Sequence, residues 1–376
     1  MDERGLISFC RALIQTKSPS GEEEEVAKII ADEMRKLGFD QVEIDEVGNV
    51  IGLIKGNSDF TIVFDGHMDT VGPGNLDSWE VDPFSAEVID GWLFGRGAVD
   101  MKGSIAAMVY SALKVKEAGN NLYFVFVVHE EDQEGFGIKH FLERKGIRPD
   151  LVVLGEATGL KIAIGHRGRA ELLLKVYGSA AHSSMPDLGE NALLEACKLL
   201  LKMEEIQDRL PSHPVLGRAS IAPVSIKCYP GEIPVIPDRC EILLDRRTVP
   251  KESREEIIGN LMKFVRKGEI SVRKKVIKCY TGYKQEVEGY FPAWYMNGPL
   301  ARKVTKLLQT DIMVWKFSTD GAYTAGEAGL PTIGYGPGDQ ELAHRPNERI
   351  SLKSLLKSVN GYAKIATIDL EIQKTN

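Results

Sequence analysis

Cysteine is scarce in this 376-residue chain. Its five residues (Cys10, Cys197, Cys228, Cys240 and Cys279) are an odd number, widely spread and without a Cys-x-x-Cys pair. That pattern argues against a disulfide framework and a thiolate zinc site, and it makes the cysteines small buried hydrophobes. No apolar run reaches the roughly 18 uncharged residues that a membrane helix needs. Positive charge is in deficit, with 47 Lys and Arg against 54 Asp and Glu and a net charge of −7. The usual electrostatic footprint of a nucleic-acid binder is therefore missing. The start, Met1-Asp2-Glu3-Arg4, has neither the basic segment nor the apolar stretch of a secretory signal, so the expected compartment is the cytoplasm. With 43% hydrophobic and 27% charged residues the chain is not wholly disordered. At about 150 residues per domain, two or three folding units are expected.

Ser20 and Glu23 have capping-box spacing, and Val26, Ile29, Ile30, Met34 and Leu37 then make one apolar face that ends at Gly38. The acids Glu22 to Glu25 read as the first turn of that helix, where the macrodipole favours them. Short apolar runs at 61–65, 122–128 and 151–154 read as buried strands, with a helix over 101–118 closed by Gly119. Strands alternating with helices predict a parallel sheet, whose ligand sites lie beyond the strand C-terminal ends. From about Arg169 the texture changes. Strands are expected at 171–177, 220–228, 239–246 and 270–278, with helices at 190–206 and 252–266. This β-α-β-β-α-β order is that of a ferredoxin-like unit, inserted into a larger α/β domain. A helix over 291–309 and a strand over 331–335 complete the larger domain.

Acidic and imidazole groups stand directly after the three buried strands. His67 and Asp69 follow the first, Glu130 and Glu131 the second, and Glu156 the third, while Asp100 sits at the entry to the intervening helix. If the strands are parallel neighbours, all converge on one sheet edge. Imidazole with carboxylate suits zinc, and a shared carboxylate can hold two ions that clamp the attacking and leaving oxygens of a hydrolysis. Gly95-Arg96-Gly97 is no dinucleotide loop, because the third glycine of that fingerprint falls on Asp100. His129, His140, His166 and His213 are left as structural residues.

These residues also carry a resemblance. Gly66-His67-Met68-Asp69-Thr70, the stretch Gly95 to Gly103, His129-Glu130-Glu131, Gly155-Glu156 and Leu342-Ala343-His344 are similar to motifs of the M20 metallopeptidases. That family includes acetylornithine deacetylases, succinyl-diaminopimelate desuccinylases, carboxypeptidases and aminoacylases. The resemblance covers nearly the whole chain. It implies a zinc-peptidase-like α/β catalytic domain with a parallel sheet, formed by residues 1–168 and 282–376. It also implies an inserted ferredoxin-like α+β lid and dimerisation domain at 169–281.

By position, the resemblance implies one metal on His67, Asp100 and Glu156 and a second on Asp100, Glu131 and His344, the ions being zinc or cobalt. Asp69 would orient His67 and Glu130 would be the general base. His182 would reach the partner subunit's site in a homodimer and steady the oxyanion. Arg247, and more weakly Arg167, would grip a substrate carboxylate. The basic stretch 266–278 then reads as a charged lid-edge strand. One departure stands out. Many members carry an asparagine where this chain has Pro234, and proline has neither a side-chain amide nor an N–H to make that contact. With Ser318-Thr319-Asp320-Gly321 and Gly334-Tyr335-Gly336-Pro337-Gly338, the chain looks most similar to a branch of selenium-metabolism-linked hydrolases.

The implied activity is hydrolysis of a linear amide, deacylating an N-acyl amino acid, with no nucleic-acid or membrane partner. A dipeptidase or carboxypeptidase of the same family is the alternative among enzymes. A catalytically idle binding protein is the alternative outside them, and the presence of every expected ligand and of Glu130 weighs against it.

Overall fold

The computed structural model of the protein describes residues 2–115, 119–231 and 233–369. Its larger sheet is built around the strand Thr61–His67, in which Ile62, Val63 and Phe64 are fully buried. Asn121–Val127 lies parallel to it on one side and Leu151–Leu154 parallel on the other, with Thr332–Gly334 parallel beyond. Both faces of these strands are covered, which is why their sequences run apolar without alternation. The sheet is parallel only at its centre: Val50–Ile54 pairs antiparallel with Asn121–Val127, and Gln41–Ile44 antiparallel with Val50–Ile54.

Aromatic rings lock the sheet to its helices. Phe64 stacks on Phe124 at 5.0 Å, while Phe39 and Tyr362 meet this pair edge-on at 5.2 and 5.9 Å. The helix Lys102–Ser111 is buried on every side, consistent with residues that are apolar or small after Lys102, Tyr110 apart. It is shorter than expected, giving way to a tighter turn at Ala112–Lys114. The remainder of the expected helix, 116–118, lies outside the described residues.

The amino-terminal reading needs a correction. The second helix is Glu24–Lys36, and Ser20 and Glu23 form no capping box. Ser20 and Glu23 instead turn inward, toward the site described below.

The inserted segment forms an antiparallel sheet of Gly168–Tyr177, Ser220–Tyr229, Arg239–Thr248 and Gly268–Val272. Burial alternates residue by residue along Gly168–Tyr177 and Arg239–Thr248, so one face packs on helices Ala192–Leu200, Met203–Asp208 and Arg254–Met262. Leu172, Leu174, Ile242 and Leu244 centre its own core. The expected strand over 270–278 is two strands: Gly268–Val272 stays at the sheet edge, and Lys274–Lys278 leaves to pair with Lys284–Glu288. The basic stretch is thus divided between them. The expected helix over 291–309 is only Pro299–Leu308, since Pro292 and Pro299 lack the N–H that a helix interior requires.

The cysteine reading is corrected as well. Cys228 and Cys240 face each other across antiparallel neighbours and are joined in a disulfide, while Cys197 is exposed. Strand register brought the pair together, and sequence spacing carries no trace of register. Among the described residues, no helix is long and apolar enough to cross a membrane.

Truncating the ring that joins sheet and helices tests this packing. Phe124→Ala should destabilise the protein by about 3–5 kcal/mol in equilibrium urea denaturation, and a loss below about 1 kcal/mol would contradict it.

Candidate metal centre

His67 ends the central strand with its side chain buried. Its Nδ1 lies 2.9 Å from the backbone carbonyl of Asp69 and so carries the ring proton. Nε2 is left as a donor atom, 2.9 Å from Asp100 Oδ1 and 3.4 Å from Glu156 Oε1. The Asp69 carboxylate is farther, with Oδ1 at 3.6 Å from Nδ1. Within hydrogen-bond distance it is therefore the main chain of Asp69, rather than its carboxylate, that orients the ring.

Asp100 faces two ways. Its Oδ1 meets His67, and its Oδ2 lies 3.1 Å from His344 Nε2, which is itself 3.1 Å from Glu131 Oε2. Donor atoms of His67, Asp100 and Glu131, and likewise of His67, Glu130 and Glu156, lie within 4.8 Å of one another. Tetrahedral ligands about 2.0–2.2 Å from a zinc ion stand about 3.3–3.6 Å apart, a spacing bracketed by the 2.9 Å closest pair and the 4.8 Å limit of this donor set, so small side-chain shifts suffice to hold a divalent ion. The chemistry fits too, because several carboxylates packed this closely call for a cation. Burial pushes Glu156 up to about 7 and raises Glu131 and Glu130, the last well above the usual range. Hydrogen bonds to Asp100 and Glu131 raise His344 to about 10. Burial opposes charge on Asp100, yet His344 and His67 hold its carboxyl well below the usual range.

The second strand ends at Val127, and the chain then turns through His129, whose φ is +60°. Four consecutive main-chain N–H groups in this turn are captured by side chains. Val128 N–H donates to Asn49 Oδ1, and His129 N–H to Glu23 Oε1, each at 3.1 Å. Glu130 and Glu131 N–H groups donate to the two oxygens of Asp69, also at 3.1 Å each. Ser20 Oγ donates to the same carboxylate at 2.6 Å. Held this way, the turn sends Glu131 toward His344 and buries Glu130 against His67 and Glu156. Glu130 Oε1 has no hydrogen-bond partner among the described residues.

Asp100 is fixed by the same device. The fully buried Glu348, paired with Arg96, accepts N–H groups of Val99 at 2.7 Å and Asp100 at 3.1 Å. Arg96 also stacks on Trp79.

The structure does not bring every expected residue to the cluster. His182 is exposed and bonded through Nδ1 to Ser184 Oγ at 2.7 Å, in a segment bridged to Val235. The Pro234 carbonyl accepts the Ser183 N–H, and Glu232 lies outside the described residues. Arg247 forks onto Asp245 at 2.8 and 3.2 Å, and Arg167 donates to the Arg218 carbonyl at 3.0 Å. The four histidines set aside do have partners, among them Asp132 for His129, Glu46 for His140 and Thr319 for His166.

Sequence reasoning missed Asn49, Glu23 and Glu348, which hold the loops, and two buried acids beside the site. Glu134 accepts from Ser318 and pairs with Arg169, and Asp320 accepts the Gly135 N–H while lying against Asp65. The Ser318-Thr319-Asp320 motif was the available signal for the last.

A profile of the peptidase family M20/M25/M40 matches residues 63–367. The uncharacterized protein YgeY of Escherichia coli is 33% identical over 373 residues, covering 95% of this chain and 92% of that protein. A putative LysW-lysine/LysW-ornithine hydrolase of Pyrococcus furiosus is 28% identical over 365 residues, covering 94% of each. Among solved structures, aminopeptidase PepT of Bacillus cereus superposes with a TM-score of 0.74 at 20% identity, covering 98% of this chain and 99% of that one. With an imidazole and carboxylates gathered at its strand ends, the molecule is a metal-dependent hydrolase of C–N bonds. The chain belongs to the peptidase family M20/M25/M40.

Metal content of the reconstituted protein, measured by inductively coupled plasma mass spectrometry, should be two divalent ions per chain and fall to about one in His344→Ala. Equal content in both proteins would contradict a ligand role for His344.

Proposed function

We propose that the protein deacylates an N-acyl amino acid at its linear amide bond, using two divalent ions, zinc or cobalt. His67, Asp100 and Glu156 would hold one ion and Asp100, Glu131 and His344 the other. The observation that carries this reading is the placement of Glu130: a buried carboxylate with an unpartnered oxygen, packed against the donor atoms of His67 and Glu156. Bound ions supply a water of near-neutral pKa and polarise the substrate carbonyl. Glu130 would take a proton from the attacking water and deliver it to the leaving nitrogen. Asp69 keeps Glu130 and Glu131 diverging while this happens, through its bonds to both main-chain N–H groups. Arg247 binds the free carboxylate of the substrate, exchanging its present fork on Asp245 for a bidentate one on the ligand. Arg167 is the second cation available for that role.

Residues 169–281 serve as the lid, set into a catalytic domain of 1–168 and 282–376. Homodimerisation through the lid brings His182 of the partner subunit to the oxyanion as a hydrogen-bond donor. Support comes from the strand Ser220–Tyr229, which forms one edge of its sheet with Val224 and Ile226 exposed at 58% and 44%. An exposed apolar edge strand invites pairing with another chain.

Glu130→Gln should keep both ions yet lower kcat by about 10²–10⁴-fold, and near-native turnover would remove Glu130 from the base role. A mass-spectrometric turnover screen of the metal-loaded protein tests the substrate class. Cleavage of N-acetyl or N-succinyl amino acids, with unblocked dipeptides left intact, is the expected result. Preference for free-amine dipeptides would assign a peptidase instead.

A further inference from the structure

We propose that Glu23 is a positioning residue for the metal centre, holding the turn that carries Glu130 and Glu131. The inference rests on the two-ion reading above. Glu23 is fully buried although it lies in a run of four acids whose neighbours Glu24 and Glu25 are solvent-exposed. It is the N-cap residue of Glu24–Lys36, yet its side chain makes no cap bond there. Instead its Oε1 accepts two main-chain N–H groups, that of Gly21 at 3.0 Å and that of His129 at 3.1 Å. A buried carboxylate costs several kcal/mol to desolvate, and no lysine or arginine pairs with this one among the described residues. Such a group is kept for what it holds.

What it holds is His129 in the left-handed region, with φ +60°, a conformation unusual for a residue other than glycine. The reversal at His129 separates the directions of the next two side chains. Asp69 fixes the N–H groups of Glu130 and Glu131, but it sits beyond the reversal and cannot impose it. Asn49 fixes Val128 before it. Only Glu23 grips the reversing residue's own N–H. The His129 ring is held as well, to Asp132 at 3.0 Å and to the Lys278 carbonyl at 3.2 Å, so the N–H bond to Glu23 and the ring contacts fix the two sides of the N–Cα bond.

Three variants separate reach from charge. Glu23→Met keeps length and removes the acceptor. Glu23→Asp keeps the charge and is one methylene too short to reach His129. Glu23→Gln keeps length and an acceptor oxygen without the charge. Affinity for the more weakly held ion, measured by chelator competition, should fall about 10–100-fold in the Met and Asp variants and stay close to wild type in Gln. The visible absorption of the cobalt-loaded protein should change in the same two variants, with kcat lowered and KM unchanged. Should Met not fold, the Asp and Gln pair decides alone. Wild-type affinity in Asp, or loss in Gln equal to that in Asp, would overturn the positioning role. A wild-type protein that binds no pair of ions would instead overturn the two-ion reading, a different failure in the same experiment.

Discussion

The site depends on the capture of main-chain N–H groups by buried side-chain oxygens. Where the second parallel strand ends, Asn49, Glu23 and Asp69 take four successive N–H groups from Val128 to Glu131. Where the helix bearing Asp100 begins, Glu348 takes two more. A loop would ordinarily satisfy such groups with water and stay adjustable. Here the acceptors arrive from distant parts of the chain, so the loops are as fixed as the sheet. All of these acceptors but Asn49 are carboxylates, and charge-assisted bonds are about twice as strong as neutral ones.

The sheet supplies the remaining order. Three parallel strands end side by side, and their ends and the turns just after them deliver an imidazole and three carboxylates to one edge. Asp100 comes from a fourth place, the turn just before the buried helix Lys102–Ser111. His344 approaches from the far end of the chain and remains half exposed, so one side of the cluster stays open to substrate. The antiparallel segment has its own core and contributes no side chain to the cluster among the described residues.

Much of this was readable from sequence. Apolar runs located the three parallel strands because each is covered on both faces, and the acids after them stood out against that background. The ferredoxin-like order of the inserted segment followed from its alternating strands. What sequence could not carry was any contact set by register or by long-range packing. The Cys228–Cys240 bond follows from strand alignment. Glu23 looked like one of four helix-favouring acids, since the direction of its side chain depends on where the helix starts. Glu348 stands near the end of the chain, about 250 residues from the loop it secures, and no local pattern marks it. Lys274–Lys278 kept strand character but changed partners, which periodicity cannot detect.

On these contacts the turn at 128–131 is formed by side-chain acceptors before any ion binds. Hydrogen-exchange mass spectrometry of the peptide spanning this turn, compared between metal-free and metal-loaded protein, tests it directly. Slow exchange is expected at His129, Glu130 and Glu131 in the metal-free protein, with little further slowing on loading. Exchange at the rate of an open loop until metal is added would show that the ions organise the turn, and would contradict it.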